Sequence, residues 1–223
     1  MTTLRLILGD QLNPTHSWFA QTNGNIIYTL MEIRQETEYV LHHAQKILGI
    51  FAAMRDFASQ LVAEGHRLHY LKIDNVDNLQ SLIANLDRLV EHYQITHFEY
   101  QLPDEWRLDQ QLKLYCHNLA ITSRACESEH FYTQRDEAAQ LFGDRQHWLM
   151  EMFYRRMRIK HNVLMDDRQR PYGSRWNFDH DNRKLWSGSP AVAVDRRQSH
   201  DHSLLWRDIL EANVNSFGEP DAI

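Results

Sequence analysis

The chain has 223 residues, enough for one full domain with an appendage or for two small domains. Its composition, 43% hydrophobic, 11% aromatic and 24% charged, excludes a disordered chain, which lacks this many aromatic and aliphatic residues. A net charge of −6 excludes a wholly basic nucleic-acid binder, and two cysteines, Cys116 and Cys126, leave no room for a disulfide framework or a four-thiolate metal centre within this chain.

No run approaches the roughly 18 apolar residues that span a bilayer. Met1–Gly9 moves straight into a strand-like stretch without the basic start, apolar core and cleavage site of a signal peptide. A reducing cytoplasm and no membrane contact are the expectation. In chain order, Leu4–Leu8 is a compact aliphatic run closed by Gly9-Asp10 and reads as a buried strand. Asn25–Met31 is the second strand, with a turn at Asn13-Pro14 between them. From Tyr39 to Glu64, Val40, Ile47, Ile50, Phe51, Met54, Phe57 and Leu61 recur at helical spacing, and Gly65 falls where a left-handed cap belongs. Arg67–Lys72 is strand three, followed by a helix through Leu79, Leu82, Ile83, Leu86, Leu89 and Val90. Thr96–Tyr100 is strand four, a helix after Pro103 carries Leu108, Leu112 and Leu114, and Ala120–Arg124 is a weaker fifth strand.

Strands and helices alternating in this way predict βαβ units. The fold class is therefore α/β: a doubly wound, five-stranded parallel sheet with helices on both faces. Ligands of such sheets bind beyond the carboxyl ends of the strands, which selects the loops at Gly9–Leu12, Met31–Arg34, Ile73–Asn75 and Gln101–Glu105. After Cys126 one helix is expected over Trp148–Arg158, with Leu149, Met152, Phe153 and Met157 apolar and Arg155, Arg156 and Arg158 polar. From Asp166 the chain turns irregular, with a short helical pattern around Leu204, Leu205, Ile209 and Leu210. The expected division is an α/β domain over 1–160 and a linker-like extension over 161–223 that lies against something else. Between Glu151 and Lys184, nine Arg and Lys face five Asp and Glu, a local net of +4 that leaves −10 for the rest.

With 8 glycines, the chain carries neither G-x-G-x-x-G nor a G-K-[ST] phosphate loop, so a classical dinucleotide or triphosphate site is not expected. Gly9-Asp10-Gln11 admits two readings, a plain turn or a backbone that a ligand approaches closely. His42 and His43 point about 100° apart on a helix and cannot share one ion, so surface or capping roles suit them better than a metal. Glu32, Glu36 and Glu38 suit a solvated helix start, yet Glu36 and Tyr39, three apart, share one face at the sheet's ligand edge.

Leu6-Ile-Leu-Gly-Asp-Gln-Leu-Asn13, Glu36-x-x-Tyr39-Val40-x-His42-His43, Ala52-Ala53-Met54-Arg55, Pro103-x-Glu105-Trp106-Arg107, Met150–Met157 and Gly173-x-Arg175-Trp176-Asn177-Phe178 together resemble the photolyase and cryptochrome superfamily. The likeness is to its bacterial iron–sulfur, (6-4) photolyase-like branch. The resemblance implies a Rossmann-like N-terminal domain that holds a light-harvesting antenna pigment, 6,7-dimethyl-8-ribityllumazine. It assigns the pigment to Gly9, Asp10, Gln11, Leu12, Met31, Glu32, Glu36, Tyr39, His43 and Ile50. Arg175, Arg183 and Lys184 are the expected nucleic-acid contacts, weak and nonspecific, and no metal ligand or catalytic residue is expected. FAD and a 4Fe-4S cluster belong, on this resemblance, to a helical domain that a full-length relative adds. The lyase chemistry of DNA repair is accordingly not expected of this chain alone. Its exposed extension is expected to meet that domain or to self-associate. The alternative is an autonomous α/β module without pigment that docks on protein or nucleic acid.

Overall fold

The computed structural model describes residues 1–144, 147–183, 185–196 and 198–220. Two compact units form, one from Met1–His130 with Ser199–Ile223 and one from Phe131–Gln198.

The larger unit contains β1 (Thr3–Leu6), β2 (Ile26–Met31), α1 (Arg34–Glu38), α2 (Ala44–Ala63), β3 (Leu68–Leu71), α3 (Leu82–His92), β4 (His97–Gln101), α4 (Trp106–Asn118) and β5 (Thr122–Cys126). The strands form one sheet in the order β3-β2-β1-β4-β5, with every pair parallel. The doubly wound α/β fold is thus the fold of this unit. Its two cores lie on the two faces of the sheet. Leu4, Leu6 and Phe98 pack with Leu86 of α3 and Leu112 of α4 on one. Tyr28 and Leu30 pack with Phe51, Met54 and Phe57 of α2 on the other, where Leu205 and Ile209 from the C-terminal helix, α8 (Ser203–Glu211), join them. Chain order reverses direction at β1, which opens a crevice beyond its carboxyl end.

The helix expected from Tyr39 starts five residues later, at Ala44, and a separate short helix, α1, ends just before Tyr39. The link between them is extended at His43 (φ −68°, ψ 141°), where the backbone of His42 and Ala44 bonds with Phe217 as a short parallel bridge. Val40 is consequently exposed instead of lying on the buried face. At the other end of α2, Gly65 takes φ +87°, the left-handed cap its position predicts. In α4 the buried face is completed by Tyr115, while Leu114 points to solvent. The fifth strand starts two residues later than expected because Thr122–Cys126 is the stretch in register with His97–Gln101.

The smaller unit holds α5 (Glu137–Phe142), α6 (Met150–Lys160) and α7 (Asp179–Asn182). Trp148, expected inside α6, precedes it and stacks on Phe142 with ring centroids 5.4 Å apart. Arg158, expected on a solvated face, is buried. Its Nε donates to the Val163 carbonyl at 3.1 Å, closing the turn after α6, and its guanidinium covers the Trp176 ring at 5.3 Å.

Candidate functional site

Beyond β1 the chain runs through Ile7–Asp10, β2 ends at Met31, and β4 leads to Glu105, whose carboxylate caps α4 by accepting from the Arg107 and Leu108 amides. Between these three strand ends and α2 lies a cavity of about 320 Å³, in the size range of small-ligand sites. Its interior is apolar, made by Leu8, Met31, Ile47, Ile50, Phe51 and Met54. Gly9 permits this arrangement: a Cβ there would come within 3.0 Å of Met54 Sδ and 3.4 Å of Ile50 Cγ2. Glycine thus lets α2 close on the loop after β1.

The rim is polar. Arg107 donates to both Glu36 oxygens (3.1 and 2.6 Å), sits 3.1 Å from Glu105 Oε2, and lies 4.4 Å above the Tyr39 ring. The bond from Glu36 holds the Arg107 guanidinium above its ordinary pKa. Its Nε is buried without a protein partner, a donor left for a ligand acceptor. Tyr39 meets His42 edge-on at 5.1 Å, and Lys46 Nζ lies 3.1 Å from His42 Nδ1. Desolvation, aided by the Lys46 charge, lowers the His42 pKa and favours a neutral imidazole. At the mouth, desolvation raises the Asp10 carboxyl, with Asp104 and Glu36 pushing the same way.

Of the residues assigned from sequence, Gly9, Asp10, Met31, Glu36, Tyr39 and Ile50 line this cavity together. The others take different places. Gln11 is buried, accepting from the Leu8 amide at 3.0 Å and donating to the Gln101 carbonyl at 3.2 Å, so it ties β1 to β4 below the site. Leu12 packs against the core under α2. Glu32 points to the α2 side and is saturated by Arg55, Tyr70 and the Ile73 amide. His43 caps α2 by accepting from the Gln45 amide, and Phe217 packs on its ring. The two adjacent histidines do point different ways, His42 into the cleft and His43 away from it. In the smaller unit Arg175 lies over the Phe178 ring at 4.5 Å and Arg183 is exposed, while Lys184 falls outside the described residues.

Sequence reasoning selected the loop that ends at Glu105 but assigned no role to Glu105, Arg107, His42 or Lys46, although all four line the cavity. The available signal was the β4–α4 loop, a strand-end loop at the correct edge of the sheet. That Arg107 reaches back over Glu36, 71 residues away, is a tertiary fact.

A profile of the family described as deoxyribodipyrimidine photo-lyase-related protein matches residues 5–223. A (6-4) photolyase of Agrobacterium fabrum (strain C58) is 36% identical over 188 residues, covering 82% of this chain. The chain spans 36% of that relative's length. A match running through the sheet, the cleft and the smaller unit places this chain in the deoxyribodipyrimidine photo-lyase-related family.

Proposed function

We propose that this chain is the antenna domain of a photolyase-related protein and holds a heteroaromatic ribityl pigment, 6,7-dimethyl-8-ribityllumazine, in the cleft at the carboxyl edge of β1 and β2. The observation that carries the reading is the cleft's division of chemistry, an apolar slot rimmed on one side by Arg107, Glu36, Tyr39 and His42. A flat ring suits the apolar slot lined by Leu8, Met31, Ile47 and Ile50, beside the point where Gly9 lets α2 pack against the loop after β1. The rim suits the polar end: Arg107 donates to ring carbonyls or nitrogens, Glu36 accepts from ribityl hydroxyls, and Tyr39 closes over them. When bound, such a pigment supplies absorption at the violet edge and passes its excitation to a redox cofactor. The protein's part is to hold the ring dry and fixed.

In this reading FAD, the iron–sulfur cluster and DNA repair belong to the longer protein, as does the lyase activity named for the Agrobacterium relative. The reading places the protein in the cytoplasm; among the described residues no helix is long and apolar enough to cross a membrane.

Titrating the purified protein with 6,7-dimethyl-8-ribityllumazine, followed by pigment fluorescence and absorption, tests the reading. Saturable 1:1 binding is expected. No binding would leave the pigment-free docking module as the better description.

A further inference from the structure

One wall of the cleft runs from Arg34 to Lys46 and carries Glu36, Thr37, Tyr39 and His42. Its first turn is tied to α4 by the Arg107–Glu36 pair and by Gln35 to Gln111, while the link beyond Glu38 is the more exposed part. The helix α1 has five residues, too few to be stable alone, and Tyr39, Val40 and Leu41 in the link to α2 are all exposed.

The last residues of the chain grip this wall at both ends without lining the cavity. Near its start, the Arg34 guanidinium donates to the Ala212 carbonyl at the C-terminal end of α8, where free carbonyls favour a cation. Near its end, the Phe217 amide donates to the His42 carbonyl at 3.1 Å and the Ala44 amide donates to the Phe217 carbonyl at 2.8 Å. The segment is itself anchored. Ile209 and Val214 are buried against the α2 side of the sheet, and Asp208 accepts from Arg55 at 2.8 Å. Its closest approach is at Gly218, which adopts φ +73° directly against the His43 ring, where any Cβ would overlap the imidazole.

We propose that Ala212–Gly218 is a positioning strap: it fixes the Arg34–Lys46 wall in its ligand-receiving geometry, and Gly218 is the residue that allows it to close. The ligand part of this inference rests on the pigment reading. The mechanical part, that the strap holds the wall, does not.

The test compares Gly218→Ala with Gly24→Ala, a control whose added Cβ meets open space. A third variant combines Gly218→Ala with His43→Ser, which removes the ring while keeping a side chain able to cap α2. Amide exchange at Ala44 and Phe217 is read in the protein without ligand, and lumazine affinity is read by fluorescence. Gly218→Ala is expected to speed exchange at both amides about tenfold or more, as local opening does, and to weaken lumazine binding about tenfold. Gly24→Ala should do neither, and the double variant should recover the part of both losses that comes from overlap with the ring, leaving the part due to Ala at φ +73°, whereas a merely destabilised fold would recover none. Unchanged exchange in Gly218→Ala would overturn the strap, as would faster exchange with unchanged affinity. If the unmodified protein binds no lumazine, the pigment reading falls, and exchange with its rescue alone decides the strap.

Discussion

Glu32 and Arg55 form a two-pronged ion pair behind the cleft, Nε to Oε1 at 2.7 Å and Nη2 to Oε2 at 2.9 Å, with Glu32 fully buried. The same carboxylate accepts from the Tyr70 hydroxyl at 2.6 Å and the Ile73 amide at 2.8 Å, and Arg55 reaches Asp208 at 2.8 Å. Burial opposes the Arg55 charge, but Glu32 and Asp208 outweigh it and hold the guanidinium above its ordinary pKa. Burial and then Glu32 raise the Tyr70 phenol. One carboxylate therefore joins the ends of β2 and β3 to α2 and, through Arg55, to α8.

Removing one partner of a buried pair strands the other. Glu32→Ala is expected to cost about 3–5 kcal/mol of stability, because Arg55, Tyr70 and the Ile73 amide lose their acceptor together. Glu32→Gln, which keeps an acceptor, should cost less. Urea unfolding followed by circular dichroism measures both. Folded Glu32→Gln should bind pigment as the unmodified protein does; full stability with lost binding would place Glu32 in the cleft instead.

Ile50 tests the slot directly. It is 38% exposed at the cleft and faces the Gly9 loop, so enlarging it fills the cavity without displacing core. Ile50→Trp is expected to weaken lumazine binding at least about a hundredfold, or ~2.7 kcal/mol, with little change in the urea midpoint. Tight binding by this variant would put the pigment elsewhere.

How far the sequence spoke follows from which interactions are local. The succession of strands and helices and the buried faces of the helices follow from aliphatic runs and helical spacing, because those patterns record which face of an element is buried. Gly9, Glu36 and Tyr39 were legible because a strand-end loop in a doubly wound sheet is where ligands bind. Glu32 and Gln11 sit in the same loops and do a different job. Whether a loop carboxylate faces the cleft or a partner such as Arg55 is set by side-chain direction across 23 residues of sequence, which spacing does not encode. The start of α2 at Ala44 instead of Tyr39 was illegible for the same reason: the extended link before it pairs with Phe217, far along the chain.

The Asp10 carboxyl, on a residue exposed at the mouth of the cleft, supplies a small pH signature. Its folded pKa is raised, by desolvation first and then by Asp104 and Glu36. The native state therefore binds its proton more tightly than the unfolded chain does. This group's contribution to stability falls as pH rises from the ordinary carboxylate value through the raised one. Asp10→Asn should remove that fall and leave the variant relatively more stable at neutral pH than at pH 4. Urea midpoints of the two proteins across pH 4–7 check it, and parallel profiles would show that Asp10 is effectively solvated.

Residues 185–196 have no regular structure and are exposed, including Leu185 and Trp186. Trypsin is expected to cut first in this stretch, at Arg196. The fragment carrying α8 should then stay bound, because Leu205, Ile209 and Val214 are buried and Asp208 pairs with Arg55. Size exclusion of the nicked protein, with and without urea, reads this. Release of the fragment in native buffer would show that the covalent link, and not packing, keeps α8 in place.

The arginine-rich smaller unit invites a nucleic-acid role, yet several of its described cations are engaged. Arg155 pairs with Glu151 at 2.8 Å, Arg170 with Asp166 at 3.0 Å, and Lys160 with Glu137. Arg158 is buried against the Val163 and Leu164 carbonyls. Phosphate contacts need charges free to shed their partners, and each contact adds to the salt dependence of binding. The chain's net charge of −6 works against attraction at long range. Binding to duplex DNA is therefore expected to be weak, independent of sequence, and lost near physiological salt. Arg183→Ala should reduce what remains with little change in stability. Titration of labelled duplexes with and without a (6-4) photoproduct, at two salt concentrations, measures affinity, salt slope and lesion preference together. Tight binding that favours the damaged duplex would mean that this chain recognises lesions by itself, and the cleft would then have to be re-examined as a base pocket.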